Sequence, residues 1–308
     1  MARERFAAQV ALLVRAIPFI AREPAFALKG GTAINLFYRD MPRLSVDIDL
    51  TYLPLDDRPT ALANVDAAFD RMTATLNAAG MAAQRAAGGG NGDTRLLVRQ
   101  HPTEVKVEVS PVTRGTVFEP ELRTVTEPVE DDFGFAEMPV VSFEDLFGGK
   151  ICAALDRQHL RDLYDVKLLY EKEGLTDALF RTSLIYIACS GRPLHELVNP
   201  HRLDVDRAFA QDFEGMTREP VPLDKLLSAR ETLIHDLQQR LHGAAADFLR
   251  SVHATTPDFS LIDLPQAEQL PALKWKLINL RRLKDNDPSK HADQARELDQ
   301  VLGRGATA

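Results

Sequence analysis

The segment SVDIDL, residues 45–50, restricts the folds open to this chain more than any other stretch. It alternates polar and apolar residues with a period of two, which is typical of a β-strand with one buried face. Side chains two positions apart on a strand point to the same side, so Asp47 and Asp49 should project together. Ile48 and Leu50 would then face the core. Because burying uncompensated carboxylates is costly, the pair predicts a nearby cation, with a divalent metal as the first candidate.

A Gly-Gly-Thr sequence at 30–32 follows a short apolar run and precedes a helix-like segment. Glycine permits close approach of the backbone, and the free N–H groups at a helix N-terminus attract phosphate. Paired carboxylates suit Mg²⁺, which usually completes its coordination shell with water and substrate phosphates. The two features together predict a nucleoside triphosphate held as its metal complex. Arg43 and Ser45 flank the acidic strand and either could contact phosphate, although Arg43 could equally pair with Asp40.

The pattern of the chain changes near residue 140, which indicates an α+β domain over 1–140 and a mainly helical domain over 141–308. A glycine-rich stretch at 86–93 predicts a flexible turn, and extended sequence is expected from 112 to MPVV at 138–141. Helical patterns dominate from SFEDLFGGK onward. The predicted elements before residue 112 are an amphipathic helix at about 4–22, strands at 25–29 and 45–52, helices at 31–39 and 59–79, and a hairpin of 94–100 with 103–111.

Composition restricts the class of protein further. The chain has 308 residues, 45% hydrophobic and 27% charged, a profile typical of a soluble globular protein. No apolar run approaches the length of a membrane span, and the N-terminus lacks the features of a signal peptide. Cys152 and Cys189 have no metal-ligand spacing and are interpreted as buried, reduced thiols of a cytoplasmic protein. Because the net charge is -8, any nucleic-acid partner would need a local basic patch.

One helix near the C-terminus carries such a patch. In ALKWKLINLRRLK, leucines at 273, 277, 280 and 283 form an apolar stripe, and Trp275 is predicted to pack in the core with them. A solvated basic face is the more common outcome for a run of this kind, but contact with RNA phosphates is also possible. The candidate RNA-binding residues are Lys274, Arg281, Arg282 and Lys284.

Two long motifs resemble the AbiEii/AbiGii (MenT-like) nucleotidyltransferase toxins, which belong to the DNA polymerase β-type superfamily. The first is LKGGTAINLFYRDMPRLSVDIDL and the second is GGKICAALDRQHLRDLYDVKLL, so the resemblance covers residues 28–169. It implies a polymerase β-type nucleotidyltransferase core with a mixed sheet, followed by a helical C-terminal domain. The residues that match the motifs are Gly30, Gly31, Thr32, Arg43, Leu44, Ser45, Asp47, Asp49, Leu50, Lys150, Arg157, Arg161, Asp162 and Asp165.

The resemblance implies that Asp47 and Asp49 are the metal ligands. Superfamily members often have a third strand carboxylate that helps to activate the acceptor hydroxyl. Glu108, in the alternating strand VKVEV, is the best placed by order and period. An ordinary solvated strand face, with Lys106 beside it, is an equally good interpretation of Glu108.

Lys150 and Asp165 receive their roles from the second motif. The resemblance implies that Lys150 neutralises triphosphate charge and that Asp165 fixes the nucleobase, the ribose or Lys150. The alternative for Asp165 is a simple helical pair with Arg161. The implied nucleotide-binding set is Gly30, Gly31, Thr32, Arg43, Ser45, Lys150 and Asp165.

The resemblance further implies a toxin of a bacterial toxin–antitoxin, abortive-infection type system. Such an enzyme would use Mg²⁺ or Mn²⁺ and an NTP to modify RNA at the tRNA 3′ end, and would have a cognate antitoxin of the winged-helix regulator type. Three alternatives stay open: a small-molecule or protein acceptor, an inactive NTP-binding regulatory module, and a metal-dependent glycosyltransferase. The last is disfavoured because only 46 residues precede Asp47.

Overall fold

The computed structural model describes residues 2–86 and 95–303. Residues 87–93 of the glycine-rich stretch, for which a flexible turn is predicted, lie outside the described residues. The chain divides into two compact units. The first consists of Met1–Ser142 with Met216–Glu219, and the second consists of Phe143–Gly215 with Pro220–Ala308.

Within the described residues of the first unit, seven strands form one mixed sheet. The strands are β1 (Phe26–Lys29), β2 (Asp47–Tyr52), β3 (Ala82–Arg85), β4 (Arg95–Gln100), β5 (Thr103–Val109), β6 (Glu121–Thr124) and β7 (Glu137–Val140). Their order across the sheet is β3-β4-β5-β2-β1-β7-β6. The pairs β1–β7 and β2–β5 are parallel, and the other neighbours are antiparallel. The predicted hairpin of the fourth and fifth strands is confirmed.

Four α-helices accompany the sheet in the described part of this unit: α1 (Ala2–Ile20), α2 (Gly30–Ala33), α3 (Arg58–Ala78) and α4 (Glu127–Phe133). A π-helical turn, Ile34–Tyr38, continues α2. The predicted apolar stripe of α1 is buried at Val10, Leu13, Ile17 and Ile20. α1 packs against β5, β7 and α3. Phe26 of β1 lies edge-on to Phe69 of α3, with ring centroids 6.4 Å apart.

The prediction of extended sequence from 112 to 141 is partly wrong. β6 and β7 are extended, but α4 lies between them. Pro128 in its first turn needs no backbone hydrogen-bond partner, and Glu127 and Glu130 suit the positive end of the helix dipole. These local signals favour a helix start and outweigh the general preference of proline-containing sequence for extended structure.

The second unit is helical and contains no strand within its described residues. Its helices are α5 (Phe143–Arg157), α6 (Leu160–Lys172), α7 (Asp177–Cys189), α8 (Leu194–Val198), α9 (Asp206–Ala208), α10 (Leu223–Arg240), α11 (Gly243–His253), α12 (Pro271–Asn286) and α13 (Pro288–Leu302). The main packing partners are α5 with α7, α6 with α10, and α5 with α6. The predicted class, an α+β fold with a mixed sheet and a helical C-terminal region, is confirmed.

The structure bears on two further predictions, which concern membrane-spanning segments and the two cysteines. None of the helices in the described ranges combines the length and apolar character needed to cross a membrane. Cys152 and Cys189 are both free thiols, but each is half-buried where the sequence predicts a buried side chain, because each lies near the edge of its helix packing. Burial raises the pKa of each thiol to about 12, so both stay protonated at neutral pH.

The sheet provides a matched pair of leucines for testing where stability resides. Leu28 lies on the central strand β1 and is fully buried, whereas Leu122 lies on the edge strand β6 and is 67% exposed. Leu28→Ala should lower the free energy of unfolding by about 2–5 kcal/mol, because it leaves a cavity in the core. Leu122→Ala should change it by less than about 0.5 kcal/mol. Urea unfolding followed by circular dichroism measures both, and equal effects would contradict the assignment of β1 to the core.

Candidate active site

The acidic strand β2 presents two carboxylates on one face of the sheet. Asp47 and Asp49 are partly exposed, while Ile48 between them is fully buried. The prediction that the two aspartates share a face is therefore confirmed. In the register of the sheet, Asp49 lies between Lys29 of β1 and Glu108 of β5. Three carboxylates, at 47, 49 and 108, thus point to the same side of neighbouring strands.

Cations from the neighbouring strands compensate this negative charge. Lys106 Nζ lies 3.2 Å from Glu108 Oε2 and 3.8 Å from Asp47 Oδ1. Arg95 forms a second ion pair with Glu108. Desolvation by the surrounding protein lowers the pKa of Lys29, and the nearby Asp49 carboxylate acts in the opposite direction. Glu108 therefore belongs to a charge network on this face, and the structure leaves its catalytic role as a prediction.

The two glycines after β1 allow the acidic strand to approach the backbone. Gly30 has a φ of 74°, and a Cβ at this position would lie 2.6 Å from Asp49 Oδ2. A Cβ on Gly31 would lie 2.7 Å from Arg43 Nη2 and 2.8 Å from Ser45 Oγ. At Gly30 glycine is favoured both by the positive φ and by the contact with Asp49, whereas at Gly31 the close contact with the ends of the Arg43 and Ser45 side chains is the only argument for glycine.

Hydroxyl groups join the glycine turn to the start of the acidic strand. Thr32 Oγ1 donates to the Asp47 carbonyl oxygen at 2.5 Å and lies 3.1 Å from Ser45 Oγ. Thr32 and Ser45 are both buried. Because the threonine bonds to the backbone of Asp47, it fixes the position of the strand's first carboxylate relative to the turn.

Asn35 is a residue of this turn that the motif analysis missed. It is fully buried; its Nδ2 donates to the Gly31 carbonyl at 2.7 Å, and its Oδ1 accepts from the Arg43 backbone N–H at 3.2 Å. Arg43 is also buried, and its Nη1 donates to the Leu44 carbonyl at 2.9 Å. A polar residue at a position expected to be buried in a helix is the one sequence signal that could have identified Asn35.

A distant piece of chain borders the same region of the first unit. Residues 216–219, here called the return segment, pair with the residues just before the acidic strand. The Leu44 N–H donates to the Met216 carbonyl at 2.9 Å, and the Arg218 N–H donates to the Pro42 carbonyl at 2.8 Å. These backbone bonds carry no side-chain signature, so the sequence offers no sign of them.

No group of three or more His, Cys, Asp or Glu side chains within the described ranges is arranged to hold a metal ion. The face nevertheless suits a divalent cation by two criteria. Asp47 and Asp49 supply the oxygen ligands that Mg²⁺ prefers. A side chain on Gly30 would collide with an oxygen of Asp49, so glycine keeps this carboxylate clear.

The second motif builds a buried ion cluster in the second unit. Lys150 of α5 is only 7% exposed, and its Nζ lies 2.6 Å from Asp162 Oδ1 and 3.0 Å from Asp165 Oδ2. Arg157 Nε donates to Asp162 Oδ2 at 2.6 Å. Burial alone would raise the pKa of Asp162, but Lys150 and Arg157 hold it well below its usual range. Asp165 therefore forms an ion pair with Lys150, and its role in the site stays a prediction.

Asp162 is the member of this cluster whose importance the sequence analysis missed. It bridges Lys150 and Arg157, and it is almost fully buried in the first turn of α6. His159 precedes that turn as the N-cap, and its Nδ1 accepts from the Arg161 N–H at 3.2 Å. The sequence placed Asp162 in the motif, but spacing alone does not reveal which of two carboxylates pairs with a lysine on another helix.

The basic helix α12 differs from its prediction in one respect. Leu273 and Leu280 are buried as expected, but Trp275 is 49% exposed, so its predicted core position is wrong. Trp275 follows Leu273 by two positions, which at about 100° per residue places it on nearly the opposite face of the helix. The four candidate RNA-binding residues, Lys274, Arg281, Arg282 and Lys284, are all exposed.

Lys276, which no motif singled out, occupies the buried face of the same helix. Its Nζ donates to the carbonyls of Ser190 at 2.9 Å and of Arg192. These carbonyls follow the last residue of α7, where cations are favoured. Burial lowers the pKa of Lys276 to about 8. Its role is structural, because it satisfies backbone acceptors.

Comparison with known proteins identifies the family of the chain and a solved structure of similar fold. The family model described as nucleotidyl transferase AbiEii toxin, type IV toxin–antitoxin system, matches residues 11–279. No curated protein sequence matches the chain significantly. A solved structure of MenT4, a nucleotidyltransferase toxin of Mycobacterium tuberculosis H37Rv, is similar in fold with a TM-score of 0.55 and 16% sequence identity. The alignment covers 97% of this chain and 93% of the MenT4 chain. Because the family model covers most of its length, the chain belongs to the AbiEii family of toxin–antitoxin nucleotidyltransferases and is itself a nucleotidyltransferase.

Proposed function

We propose that this nucleotidyltransferase toxin transfers nucleotides from an NTP to RNA, with the 3′ end of tRNA as acceptor. The observation that carries the proposal is the contact of Gly30 with Asp49, which sets a glycine turn at the start of a helix directly beside a pair of carboxylates. A triphosphate needs backbone N–H groups for its oxygens and carboxylates for its metal ion. Both are adjacent on this face of the first unit.

Asp47 and Asp49 would hold the divalent cation, Mg²⁺ or Mn²⁺. When bound, such an ion neutralises charge on the transferring phosphoryl group and aligns the attacking hydroxyl. Glu108 is proposed as the third carboxylate, which accepts the proton of that hydroxyl. For this role its ion pairs with Lys106 and Arg95 have to rearrange, because both cations occupy the carboxylate that would accept the proton.

The glycine turn would orient the phosphates. The absence of side chains at Gly30 and Gly31 lets Asp49 and Arg43 lie close to the backbone of the turn, while Thr32 and Ser45 hold the turn against the acidic strand. Arg43 contributes a buried guanidinium beside Gly31, so positive charge is available at the turn. These residues act by position and charge.

In the second unit, Lys150 is proposed to neutralise triphosphate charge and Asp165 to fix Lys150 for that purpose. Support comes from the ion cluster, where Lys150 is held by two carboxylates. A lysine held by two carboxylates is firmly positioned, which suits a side chain that meets phosphate.

RNA and an antitoxin are the proposed macromolecular partners. The exposed cations Lys274, Arg281, Arg282 and Lys284 of α12 supply a local basic patch on a chain whose net charge is -8. A patch of this kind can follow the phosphates of RNA. The family match implies a cognate antitoxin, and we propose a winged-helix regulator in this role.

The acidic strand provides the first test of function. Asp47→Ala and Asp49→Ala should each lower nucleotide transfer by at least about a hundredfold, because the metal site contributes several kcal/mol to charge stabilisation. Both side chains are partly exposed, so the free energy of unfolding should change by no more than about 1 kcal/mol. Transfer of a labelled NTP to total tRNA, followed on a denaturing gel, measures activity.

Asp131→Ala, which removes an exposed carboxylate from α4 in the same unit, is the matched control and should retain full activity. Near-normal transfer by either strand variant in the presence of Mg²⁺ would show that the metal ligands lie elsewhere.

Variants of two buried lysines in the second unit can distinguish an effect on nucleotide binding from an effect on stability. Lys150→Ala leaves two buried carboxylates with one cation fewer, so it should lower the free energy of unfolding by about 3–5 kcal/mol. Lys276→Ala also removes a buried ammonium, but from backbone carbonyls. Both variants should therefore melt at lower temperature, whereas only Lys150→Ala should raise the NTP concentration needed for transfer.

Thermal melting and NTP titration, done at a temperature at which both variants are folded, measure the two effects. An equal NTP dependence in the two lysine variants would assign Lys150 to a structural role alone.

The proposed biological activity has its own test. Induction of the wild-type chain in a bacterium should arrest growth and leave tRNA with added 3′ nucleotides, while the Asp47→Ala chain should do neither. Sequencing of tRNA 3′ ends from both cultures measures the modification. Growth arrest by both chains, or arrest with unchanged tRNA, would refute the tRNA acceptor, and normal growth with the wild-type chain would count against the toxin itself.

A further inference from the structure

The exposed face of α12 carries an aromatic side chain that the proposed catalytic chemistry leaves unexplained. Trp275 is the only tryptophan of the chain, and it is 49% exposed. Ile278, one turn further along the helix, is 39% exposed. The ring and the isoleucine together form a small apolar group on the exposed face of the helix, where a partner can contact it. The composition of the surrounding surface identifies the kind of partner.

Arg282 lies against the tryptophan. Its guanidinium carbon is 5.8 Å from the centroid of the Trp275 ring, within the range of a cation–π contact. The two residues are seven apart, so they lie two turns apart on the same face, with Ile278 between them. A planar aromatic ring next to a planar guanidinium offers two flat surfaces on which a nucleobase can stack.

The helix that carries this aromatic group also exposes cations for which the structure describes no acidic partner. Lys274 donates to the Gln269 side-chain oxygen at 3.1 Å, and Arg281 contacts the Thr255 carbonyl at 3.4 Å. These acceptors are neutral. In the part of the chain that the structure describes, no carboxylate lies within ion-pair distance of Lys274, Arg281, Arg282 or Lys284. Asp285 is the one acidic residue of α12, against four exposed cations.

We propose that Trp275 and Arg282 form a stacking platform for an unpaired base of the RNA substrate, while Lys274 and Arg281 hold the adjoining phosphates. The inference rests on the proposed function, because it assumes an RNA acceptor, and it adds that the enzyme recognises RNA in single-stranded form at α12. Charge complementarity favours RNA over a second protein. An exposed aromatic ring in contact with Arg282, on a helix that also exposes Lys274 and Arg281, matches a polyanion with flat bases. A protein partner would need a matching acidic surface with a pocket for the ring.

The single tryptophan makes a direct test possible on the intact protein. Its fluorescence reports only on Trp275, so stacking of a base on the ring should quench it. The wild-type chain is titrated with single-stranded oligoadenylate in low salt, without NTP or divalent metal, so the result is independent of catalysis. Oligoadenylate should quench the emission in a saturable manner. An abasic RNA backbone of the same length should bind by charge without quenching.

Variants give the second measurement, by fluorescence anisotropy of a labelled oligoadenylate. Trp275→Ala should lower affinity about tenfold, which is within the range for loss of one base–aromatic stack, and Trp275→Phe should restore most of it. Arg282→Lys keeps the charge but loses the planar group, so it should weaken binding of oligoadenylate and leave binding of the abasic backbone unchanged. Phe135→Ala, which removes an aromatic side chain that is 57% exposed in the first unit, is the matched control.

Four results would overturn the proposal. Binding of oligoadenylate without quenching, or equal affinity of wild type and Trp275→Ala, would show that RNA binds elsewhere, and the proposed function would survive if tRNA is still modified. Emission that shifts with protein concentration instead of RNA would identify the face as a contact between protein chains. Absence of any RNA binding together with absence of nucleotide transfer to tRNA would refute the RNA acceptor as well.

Discussion

A pair of carboxylates on a central strand has to be compensated, and this electrostatic requirement organises the first unit around β2. The strand lies between β1 and β5, and these two neighbours contribute Lys29 and Lys106 by register. Directly opposed residues on paired strands are close enough for charges to interact, so the compensation depends on the strand order of the sheet. The glycine turn at Gly30 then completes the face, because only glycine fits against Asp49.

The buried ion cluster of the second unit also compensates two carboxylates, but it does so with cations from a neighbouring helix. Lys150 is bonded to Asp162 and Asp165, and Arg157 adds a second cation to Asp162. Desolvation makes such a cluster a poor source of stability, but the loss of any one member leaves an uncompensated charge. If Lys150 meets a triphosphate as proposed, a phosphate oxygen has to compete with these carboxylates for its ammonium protons. Lys150 would then serve nucleotide binding in addition to folding.

The sequence predicted the site elements that depend on local pattern. Alternation in SVDIDL correctly put Asp47 and Asp49 on one face, and the glycine turn lies beside them as its position after an apolar run suggested. The tryptophan of α12 was assigned wrongly, although the leucine stripe was right at Leu273. The hydrophobicity of the ring favours a core position, but its angular position, about 200° from Leu273, places it on the exposed face of the helix.

By itself, the sequence determined which residue types occur at which spacing: the acidic pair, the glycines, Lys150 and the basic face of α12. Tertiary structure alone decided which charges meet. Asp162, not only Asp165, holds Lys150, and the return segment at 216–219 supplies backbone bonds to the residues before Asp47. The physical reason is that helical and strand periodicity fix the direction of a side chain relative to its own element. The residue that a side chain contacts on a distant element is fixed only by packing, and packing leaves no local pattern in the sequence.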